Sequence, residues 1–301
     1  MGQVQKIIKK FEKNPVYLTN GAGFLSKKWN CSKEDIYIAK KLLKNKKEIA
    51  NIYTKESEDA LINSKLFEDF KTLISATKEL KTPKNILIIG DTHIPYEKEG
   101  YLEFCKEQYD IYNCDTVIHI GDLIDSHATS RHPSIPDAYS AGDELYYTKK
   151  KLRKWYKTFP NMKVVIGNHD IRAYKIASDV GIASKWLKGF ADVLEVPNWT
   201  FEECYEINDT VFVHGTGTSG VTAAYRRALN LGQNVVIGHL HSEAGILYHK
   251  LPDKTMWGMI VGCGVDENSY GMNYAKNIIK KSIISCGVIV DGTPILKVMN
   301  S

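Results

Sequence analysis

The chain of 301 residues is 43% hydrophobic and 25% charged, and its net charge is +5. This composition is typical of a globular protein and excludes a disordered or fibrous one. No apolar run reaches the roughly 20 residues of a membrane span, and the N-terminal residues lack the apolar core of a signal peptide. Six cysteines without C-x-x-C spacing indicate reduced thiols. We therefore expect a cytoplasmic protein with no membrane partner.

The basic residues are concentrated at the N-terminus. Residues 1–47 contain twelve lysines and three acidic residues, which is a net charge of +9, so the rest of the chain carries −4. A basic segment joined to a mildly acidic body is a pattern of proteins that bind polyanions. We therefore expect DNA or RNA among the partners.

Residues 1–50 predict a small basic helical unit that resembles a helix-turn-helix. Apolar residues have helical spacing on both sides of Asn30, and Ser32 with Asp35 forms the aspartate variant of a capping box. The second helix would present lysines to a phosphate backbone, namely Lys33, Lys40, Lys41 and Lys44. A helical hairpin with a solvated lysine face has the same signature, so both interpretations stay open.

The remaining residues predict a helical connector over 51–84 and one larger α/β domain over 85–301. Five short apolar runs predict buried strands: Ile86–Ile89, Thr116–Ile120, Lys163–Ile166, Thr210–Val213 and Asn234–Ile237. Amphipathic stretches at 98–112 and 142–158 predict covering helices. Two antiparallel hairpins are predicted later, 245–249 with 255–261 and 284–290 with 294–298.

Each of the five predicted strands ends in side chains that can bind a metal ion. In chain order these are Asp91 and His93, then Asp122 and Asp125, then Asn168, His169 and Asp170, then His214, then His239 and His241. Ligands collect beyond the carboxyl ends of strands in α/β sheets, so we expect these side chains to converge. The glycine before several of them would let the chain turn sharply. The sequence therefore predicts a metal site, and imidazole with carboxylate donors suits Mn²⁺, Fe or Zn²⁺.

This ordered set, D-x-H, GD, GNH-D, H and GHxH, is similar to the motifs of the calcineurin-like metallophosphoesterase family over about residues 85–298. The stretches GDLIDSHATSRHP and VHGTGTSG look most like phage-encoded members, which would place the protein in the host cytoplasm. The resemblance implies an α/β (α+β) fold, a four-layer αββα sandwich of two mixed sheets, here with the N-terminal helical unit added. It also implies two divalent metal ions, with Mn²⁺ preferred and Fe, Zn²⁺ or Ni²⁺ as alternatives.

The resemblance also assigns the metal ligands residue by residue. The first ion would be held by Asp91, His93 and His241, and the second by Asn168, His214 and His239. Asp122 would bridge both ions. Thiolates are absent from this set, which argues against a structural zinc site.

The predicted catalytic residues are His169 and Asp125. By resemblance, His169 donates a proton to the leaving oxygen or stabilises the transferring phosphoryl group, and Asp125 orients its imidazole. A hydroxide shared by the two ions would attack phosphorus in line with the leaving group. Asp170 is expected to accept backbone hydrogen bonds at the strand-to-helix turn, and His119 to be a packed core residue.

The chain departs from the family's protein phosphatases at one position. Those enzymes carry an arginine directly after the second aspartate of GDxxDR as a phosphate clamp, whereas Ser126 follows Asp125 here. This departure argues against a protein phosphatase. Substrate contacts could come instead from His127, Arg131, His132, Arg226 and Arg227. For each of these five, an exposed position without such a role is an equal alternative.

The sequence therefore predicts a binuclear metal-dependent phosphoester hydrolase. The favoured interpretation is a phosphodiesterase or nuclease that acts on DNA or another nucleic acid through a metal-bridging hydroxide. The alternative is a phosphomonoesterase or small-nucleotide phosphodiesterase whose N-terminal unit does not bind DNA. A non-catalytic binding protein is disfavoured because the ligand set is complete. The oligomeric state is left open.

Overall fold

The computed structural model describes residues 6, 7, 9–11, 22–33, 35, 36, 39, 40, 84–130, 138–266 and 281–300. Packing divides the chain into two units, residues 1–82 with 230–232, and residues 83–229 with 233–301. The predicted connector over 51–84 lies outside the described residues, apart from its last position. The predicted boundaries at residues 50 and 84 therefore stay predictions.

In the N-terminal unit, helix α1 (Ala22–Trp29) ends at a turn where Asn30 adopts a left-handed conformation with φ of 49°. Helical geometry resumes at Lys33. The Ser32 hydroxyl accepts a hydrogen bond of 3.0 Å from the Asp35 backbone N–H. The predicted N-cap serine is thus confirmed, because this bond satisfies one of the donors left open at a helix start.

The apolar face of this unit is buried, and its lysines differ in exposure. The buried side chains include Ile7, Phe11, Leu25, Ile36 and Ala39. Lys33 is exposed, whereas Lys40 is half-buried, and burial lowers its pKa. Lys41 and Lys44 lie outside the described residues. Two of the four lysines predicted to contact a phosphate backbone are therefore described, and of these two only Lys33 is exposed.

The described part of the larger unit contains eleven strands. They are β1 (Asn85–Ile89), β2 (Thr116–His119), β3 (Lys163–Val165), β4 (Thr200–Glu202), β5 (Cys204–Ile207), β6 (Thr210–Val213), β7 (Asn234–Ile237), β8 (Gly245–Lys250), β9 (Thr255–Ile260), β10 (Ser285–Val290) and β11 (Thr293–Val298). Each predicted strand is present. β2 and β3 end one residue earlier than predicted, and both later hairpins, β8 with β9 and β10 with β11, pair antiparallel as expected.

These strands form two mixed sheets. The first has the order β11-β10-β1-β2-β3-β4, and the second has the order β5-β6-β7-β9-β8. In the first sheet β1, β2 and β3 are parallel neighbours, and in the second β6 and β7 are parallel neighbours. Parallel neighbours point their carboxyl ends at the same edge, which is where the predicted ligands follow.

Five further helices accompany the sheets. They are α2 (Tyr101–Ile111), α3 (Ala141–Thr158), α4 (Arg172–Asp179), α5 (Phe190–Leu194) and α6 (Ala223–Leu231). The helices predicted over 98–112 and 142–158 correspond to α2 and α3. Ser140 caps α3, since its hydroxyl accepts a bond of 3.2 Å from the Asp143 N–H. Among the described residues, no helix has both the length and the apolar character that spanning a bilayer requires.

The buried residues sort into layers. Alternate residues of β1 face opposite sides of the first sheet, as the period of two requires. Leu87 packs with Tyr101 of α2 and Trp155 of α3 in one core. Ile88 packs with Met259 of β9 in the other core, between the sheets. Because α6 lies against β9, the order is helix, sheet, sheet, helix, and the predicted αββα sandwich is confirmed.

The contact between α6 and β9 allows no side chain at Gly258. A Cβ atom there would lie 2.3 Å from the Tyr225 nitrogen and 2.4 Å from the Ala224 carbonyl carbon. We expect Gly258→Ala to lower the free energy of unfolding by about 1–3 kcal/mol, because helix and strand must move apart. Urea denaturation would measure it. Gly245→Ala, on neighbouring β8 where a Cβ meets nothing within 4 Å, is the control. Equal midpoints for both variants would contradict this packing.

Candidate metal centre

The strand ends bring the predicted ligands into one cluster. Asp91, His93 and His241 form a first group whose ligand atoms all lie within 4.8 Å of one another. The His93 and His241 Nε2 atoms are 3.2 Å apart, and the His241 Nε2 is 3.2 Å from the Asp91 Oδ2. The end of β1 in the first sheet and the end of β7 in the second sheet thus meet at one point.

A second group consists of Asp122, His214 and His239, again within 4.8 Å. The His214 Nε2 lies 3.2 Å from the Asp122 Oδ2 and 3.2 Å from the Asn168 Oδ1. Asn168, assigned as an amide ligand from the sequence, therefore joins this group through its oxygen. Asp122 also belongs to a third group with His93 and His169, so its carboxylate lies between the other two groups.

The spacing of these atoms fits metal binding. Ligand bonds of about 2.0–2.2 Å place neighbouring donors around one ion roughly 3.0–3.4 Å apart, and the contacts above fall in that range. The His93 Nδ1 lies 2.7 Å from the Asp125 Oδ1, and the His214 Nδ1 lies 3.1 Å from the Ile120 carbonyl. In the metal-bound centre both Nδ1 atoms would carry the proton, and both Nε2 atoms would present lone pairs to the ions. Such outer contacts fix metal-binding histidines in proteins.

The buried carboxylates require positive charge. Burial acts to raise the pKa of Asp122, but the His214 and His169 imidazoles hold it well below its ordinary value. Burial acts to lower the pKa of His214, and the charges of Asp122 and Asp91 raise it to about 10. Divalent cations at the same atoms would supply the compensating charge. The donor set and its electrostatics both fit two divalent ions.

Two glycines in the motifs are required by close approach to a carboxylate. A Cβ at Gly238 would lie 2.2 Å from the Asp91 Oδ1, and one at Gly167 would lie 2.2 Å from the Asp122 Oδ1. The sharp turn expected from the sequence applies to Gly121, whose φ is +106°. At the other two positions, the missing side chain makes room for the ligands.

His169 and Asp125 are in direct contact, as expected. The His169 Nδ1 lies 3.0 Å from the Asp125 Oδ1 and 2.9 Å from the Asp125 carbonyl oxygen. The Asp125 Oδ1 also contacts the His93 Nδ1, so one carboxylate orients both rings. The two rings meet edge to face at 4.4 Å. The His169 Nε2 thus points towards the cluster, 3.9 Å from the Asp122 Oδ2.

Arg172, at the start of α4, is a residue of the site that is not among the predicted ones. Its Nη2 group is 3.0 Å from the His169 Nε2, and its Nη1 donates to the Asp125 carbonyl at 2.8 Å. Because a guanidinium can only donate, the His169 Nε2 accepts in this arrangement. The signal that could have found Arg172 is its position three residues after His169 in a helical turn.

Glu144 of α3 is a second residue that the sequence analysis misses. Its carboxylate is buried and accepts bonds from the His127 N–H at 2.7 Å and the Ala128 N–H at 3.0 Å. Burial raises its pKa. Glu144 therefore fastens the segment after Asp125 to helix α3.

The two structural expectations near the centre are confirmed. Asp170 accepts bonds from the Gly167 N–H at 2.8 Å and the Ile124 N–H at 3.1 Å. His119 is fully buried, its Nε2 contacts the Thr92 hydroxyl at 2.9 Å, and burial lowers its pKa to about 3. His119 is thus a neutral core residue.

The five predicted substrate contacts differ in burial and in whether the structure describes them. His127 is half-buried, with its Nδ1 3.9 Å from the Asp125 Oδ2. Arg226 is exposed and donates to the Ser219 carbonyl at 2.8 Å. Arg227 is buried, which neither alternative anticipates, and its Nη1 has no partner among the described residues. In the described part of the chain, neither arginine contacts the metal cluster. Arg131 and His132 lie outside the described residues.

Comparison with known proteins identifies the family. The calcineurin-like phosphoesterase profile matches residues 84–263, more than half of the chain, and the chain belongs to this family. It is therefore a metal-dependent phosphoesterase, an enzyme that uses divalent metal ions. No curated protein matches the chain.

Several solved structures resemble the chain at low identity. An archaeal phosphodiesterase is 18% identical, covering 71% of this chain and 99% of its own, with a TM-score of 0.37. A metallophosphoesterase from Sphaerobacter thermophilus is 15% identical, covering 72% and 88%, with a TM-score of 0.40. A nuclease from Pseudomonas putida is 14% identical, covering 70% and 87%, with a TM-score of 0.34. The family assignment itself rests on the profile.

The two hydrogen bonds that Asp170 accepts generate a stability prediction. Asp170→Ala would leave the buried Gly167 N–H and the partly buried Ile124 N–H without acceptors, at about 1–3 kcal/mol each. We expect the free energy of unfolding to fall by about 2–4 kcal/mol, measured by urea denaturation. Asp253→Ala, in the exposed turn between β8 and β9, should leave it nearly unchanged. If Asp170→Ala unfolds at the same midpoint as Asp253→Ala, the structural role is wrong.

Proposed function

We propose that the protein is a binuclear phosphodiesterase that hydrolyses nucleic acid, with DNA as the favoured substrate. Asp91, His93 and His241 would hold one ion, Asn168, His214 and His239 would hold the other, and Asp122 would contribute its carboxylate to both. The observation that carries this proposal is the Asp122 carboxylate, which is shared between separate groups of metal-binding atoms. A carboxylate in that position is what a two-metal hydrolase requires.

The bound ions supply Lewis acidity to the phosphoryl oxygens and to the attacking water. Mn²⁺ is the favoured ion, with Fe, Zn²⁺ or Ni²⁺ as alternatives, because histidine, carboxylate and amide donors suit these metals. We keep the phage-encoded subgroup and the host cytoplasm as predictions of the sequence.

His169, Asp125 and Arg172 act on the leaving group and the phosphoryl oxygens. Asp125 holds the His169 Nδ1, so the Nε2 atom faces the substrate. A phosphoryl oxygen that enters between this Nε2 and the guanidinium receives the donors of Arg172, which takes the place of the arginine missing after Asp125. Proton transfer to the leaving oxygen then requires the imidazolium form of His169, which gives up the proton on Nε2 while Asp125 holds the proton on Nδ1 in place. Positioned donors of this kind stabilise the charge that develops in phosphoryl transfer.

The basic N-terminal segment supports a polynucleotide substrate. Its net charge of +9 would attract a phosphate backbone, and Lys33 is exposed for such a contact. Lys41 and Lys44 are proposed to contribute from the same segment, whereas the half-buried Lys40 is less accessible than the sequence predicted. Binding that depends on phosphate contacts weakens steeply as salt rises.

The role of His169 generates a kinetic prediction. We expect His169→Ala to lower kcat for a chromogenic phosphodiester by about 10²- to 10⁴-fold, the range typical of a lost general acid. Bound metal, measured by elemental analysis, should stay close to that of the wild type because His169 is not a ligand. Asp122→Ala should lose both metal and activity.

Arg172→Lys is the matched variant for the guanidinium. It keeps the charge but loses the planar pair of donors, so a smaller decrease in kcat than that of His169→Ala is expected.

Loss of metal in His169→Ala would show that His169 is a ligand and that the assignment is wrong.

The substrate is tested with a labelled DNA duplex bearing a 5′-terminal phosphate, in the presence of Mn²⁺. We expect stepwise or internal shortening of the strand by the wild type and none by Asp122→Ala. Denaturing gel electrophoresis would measure strand length, and a colorimetric assay would measure inorganic phosphate.

Other results would redirect the proposal. Release of inorganic phosphate from an intact strand would indicate a phosphomonoesterase. Cleavage of a chromogenic phosphodiester without any action on DNA would favour a small-nucleotide substrate and an N-terminal unit that does not bind DNA.

A further inference from the structure

We propose that helix α3 and the residue Tyr139 before it form a surface for single-stranded DNA. Exposed tyrosines would stack on the bases, and basic side chains along α3 would contact the phosphates. This inference rests on the proposed function, because it supplies the path along which a strand reaches the metal centre. It adds a binding surface that lies outside the N-terminal segment and outside the ligand motifs.

Four tyrosines, called here the tyrosine row, lead from the interior to the surface. The Tyr96 and Tyr139 rings are stacked with centroids 6.3 Å apart, and those of Tyr139 and Tyr147 are stacked at 4.6 Å. Tyr146 meets Tyr147 edge to face at 5.3 Å. Tyr96 is buried, whereas Tyr139 is 42% exposed and Tyr146 is 62% exposed. Core packing does not account for three neighbouring exposed rings, and exposed aromatic rings are the kind of surface on which the bases of a single strand stack.

The inner end of the tyrosine row adjoins the metal centre. The Tyr96 N–H donates to the His93 carbonyl at 2.8 Å. The Tyr96 hydroxyl is buried and has no hydrogen-bond partner among the described residues. The Thr148 hydroxyl of α3 donates to the Ile94 carbonyl at 3.2 Å. Together with the bonds that Glu144 accepts, these contacts hold the first half of α3 against both loops that carry the His93 and Asp125 side chains.

The outer end continues as a basic stripe. Tyr146, Lys150, Arg153 and Lys157 are separated by three or four residues, so they lie on one face of the helix, and all four are exposed. Helix α3 contains six basic residues and two acidic ones, of which Glu144 is buried. In the described part of the chain, Lys150 and Lys157 make no ion pair. This face therefore carries positive charge available to phosphates.

A shallow depression of about 370 Å³ lies beside Tyr146. Its lining includes Lys149, Lys150, Arg153 and one acidic residue, Glu195. Glu195 pairs with Lys149 at 3.0 Å and lies 3.7 Å from the Arg153 guanidinium. One carboxylate thus faces three cations, and the depression combines an aromatic wall with net positive charge.

The dimensions and chemistry favour a single strand. The stripe from Tyr146 to Lys157 is about 16 Å long, which is enough to contact several successive phosphates of one strand. Stacking on a tyrosine needs a free base face, which an intact duplex does not offer. An acidic peptide would match the lysines but would leave the exposed rings unexplained.

Fluorescence anisotropy with a labelled oligothymidine tests this surface on the full chain, with EDTA present to prevent cleavage. We expect Tyr146→Ala to raise Kd about tenfold, as loss of one stacked base does. Tyr146→Phe keeps the ring and should bind like the wild type. Trp186→Ala removes an aromatic side chain that is 85% exposed outside the tyrosine row, and it should also bind like the wild type.

The basic stripe has its own readout. Lys150→Gln should reduce the slope of log Kd against log salt by about one, because one phosphate contact is lost. Lys250→Gln, an exposed lysine at the end of β8, is the matched control and should leave the slope unchanged.

Three results would overturn the surface. They are wild-type affinity of Tyr146→Ala for oligothymidine, an equal loss in Trp186→Ala, and an equal loss for a duplex of the same length. Hydrolysis of a chromogenic phosphodiester with Mn²⁺ separates this proposal from the proposed function. Binding through Tyr146 without any hydrolysis would support the DNA-binding surface and contradict the proposed function. Hydrolysis without binding of oligothymidine would remove the surface alone.

Discussion

The burial of the Asp91 and Asp122 carboxylates is the constraint on which the rest of the site depends. A buried anion is costly unless charge and hydrogen bonds compensate it. Each carboxylate accepts one backbone N–H from another motif, Asp91 from His239 at 2.8 Å and Asp122 from His169 at 2.7 Å. Asp91 follows β1 and His239 follows β7, so this bond ties the edges of the two sheets together. Moving any of these strand ends would leave a buried charge without its partner.

The same constraint explains why short side chains surround the carboxylates. Gly167 and Gly238 each leave a space that a methyl group would fill, and the oxygens of Asp122 and Asp91 occupy it. Asp170 adds a third buried carboxylate that accepts only backbone N–H groups and thereby holds the turn containing Gly167 in place. The Asp122 and Asp91 carboxylates are therefore positioned by backbone geometry, whereas the His93 ring is positioned by the Asp125 side chain. A cluster built in this way keeps its donor atoms converged, which favours metal binding.

The sequence predicts features that depend on a local pattern of residues. It does not predict features that depend on the direction in which a side chain or a helix points in the folded chain. The strand ends follow from apolar runs that stop at polar residues, and the Ser32 cap follows from a signature four residues long. Arg227 is different, since its place on a helix is readable but the face it occupies is set by tertiary packing. The contact of Arg172 with His169 depends on how α4 leaves β3. The tyrosine row joins residues from two segments, 96 and 139–147, and no periodicity in the chain brings them together.

The absence of an arginine after Asp125 is related to the presence of Arg172 beside His169. Ser126 has a left-handed conformation, with φ of 52°, and lines a mainly apolar cavity of about 320 Å³ with Leu145 and Phe190. An arginine at position 126 would extend from the lining of that cavity. Glu144 accepts hydrogen bonds from the backbone N–H groups of the next two residues, His127 and Ala128, and thereby holds the segment after Asp125 in this orientation. Arg172 of α4 instead places a guanidinium beside the Nε2 of His169, and under the proposed function this guanidinium contacts the phosphoryl group.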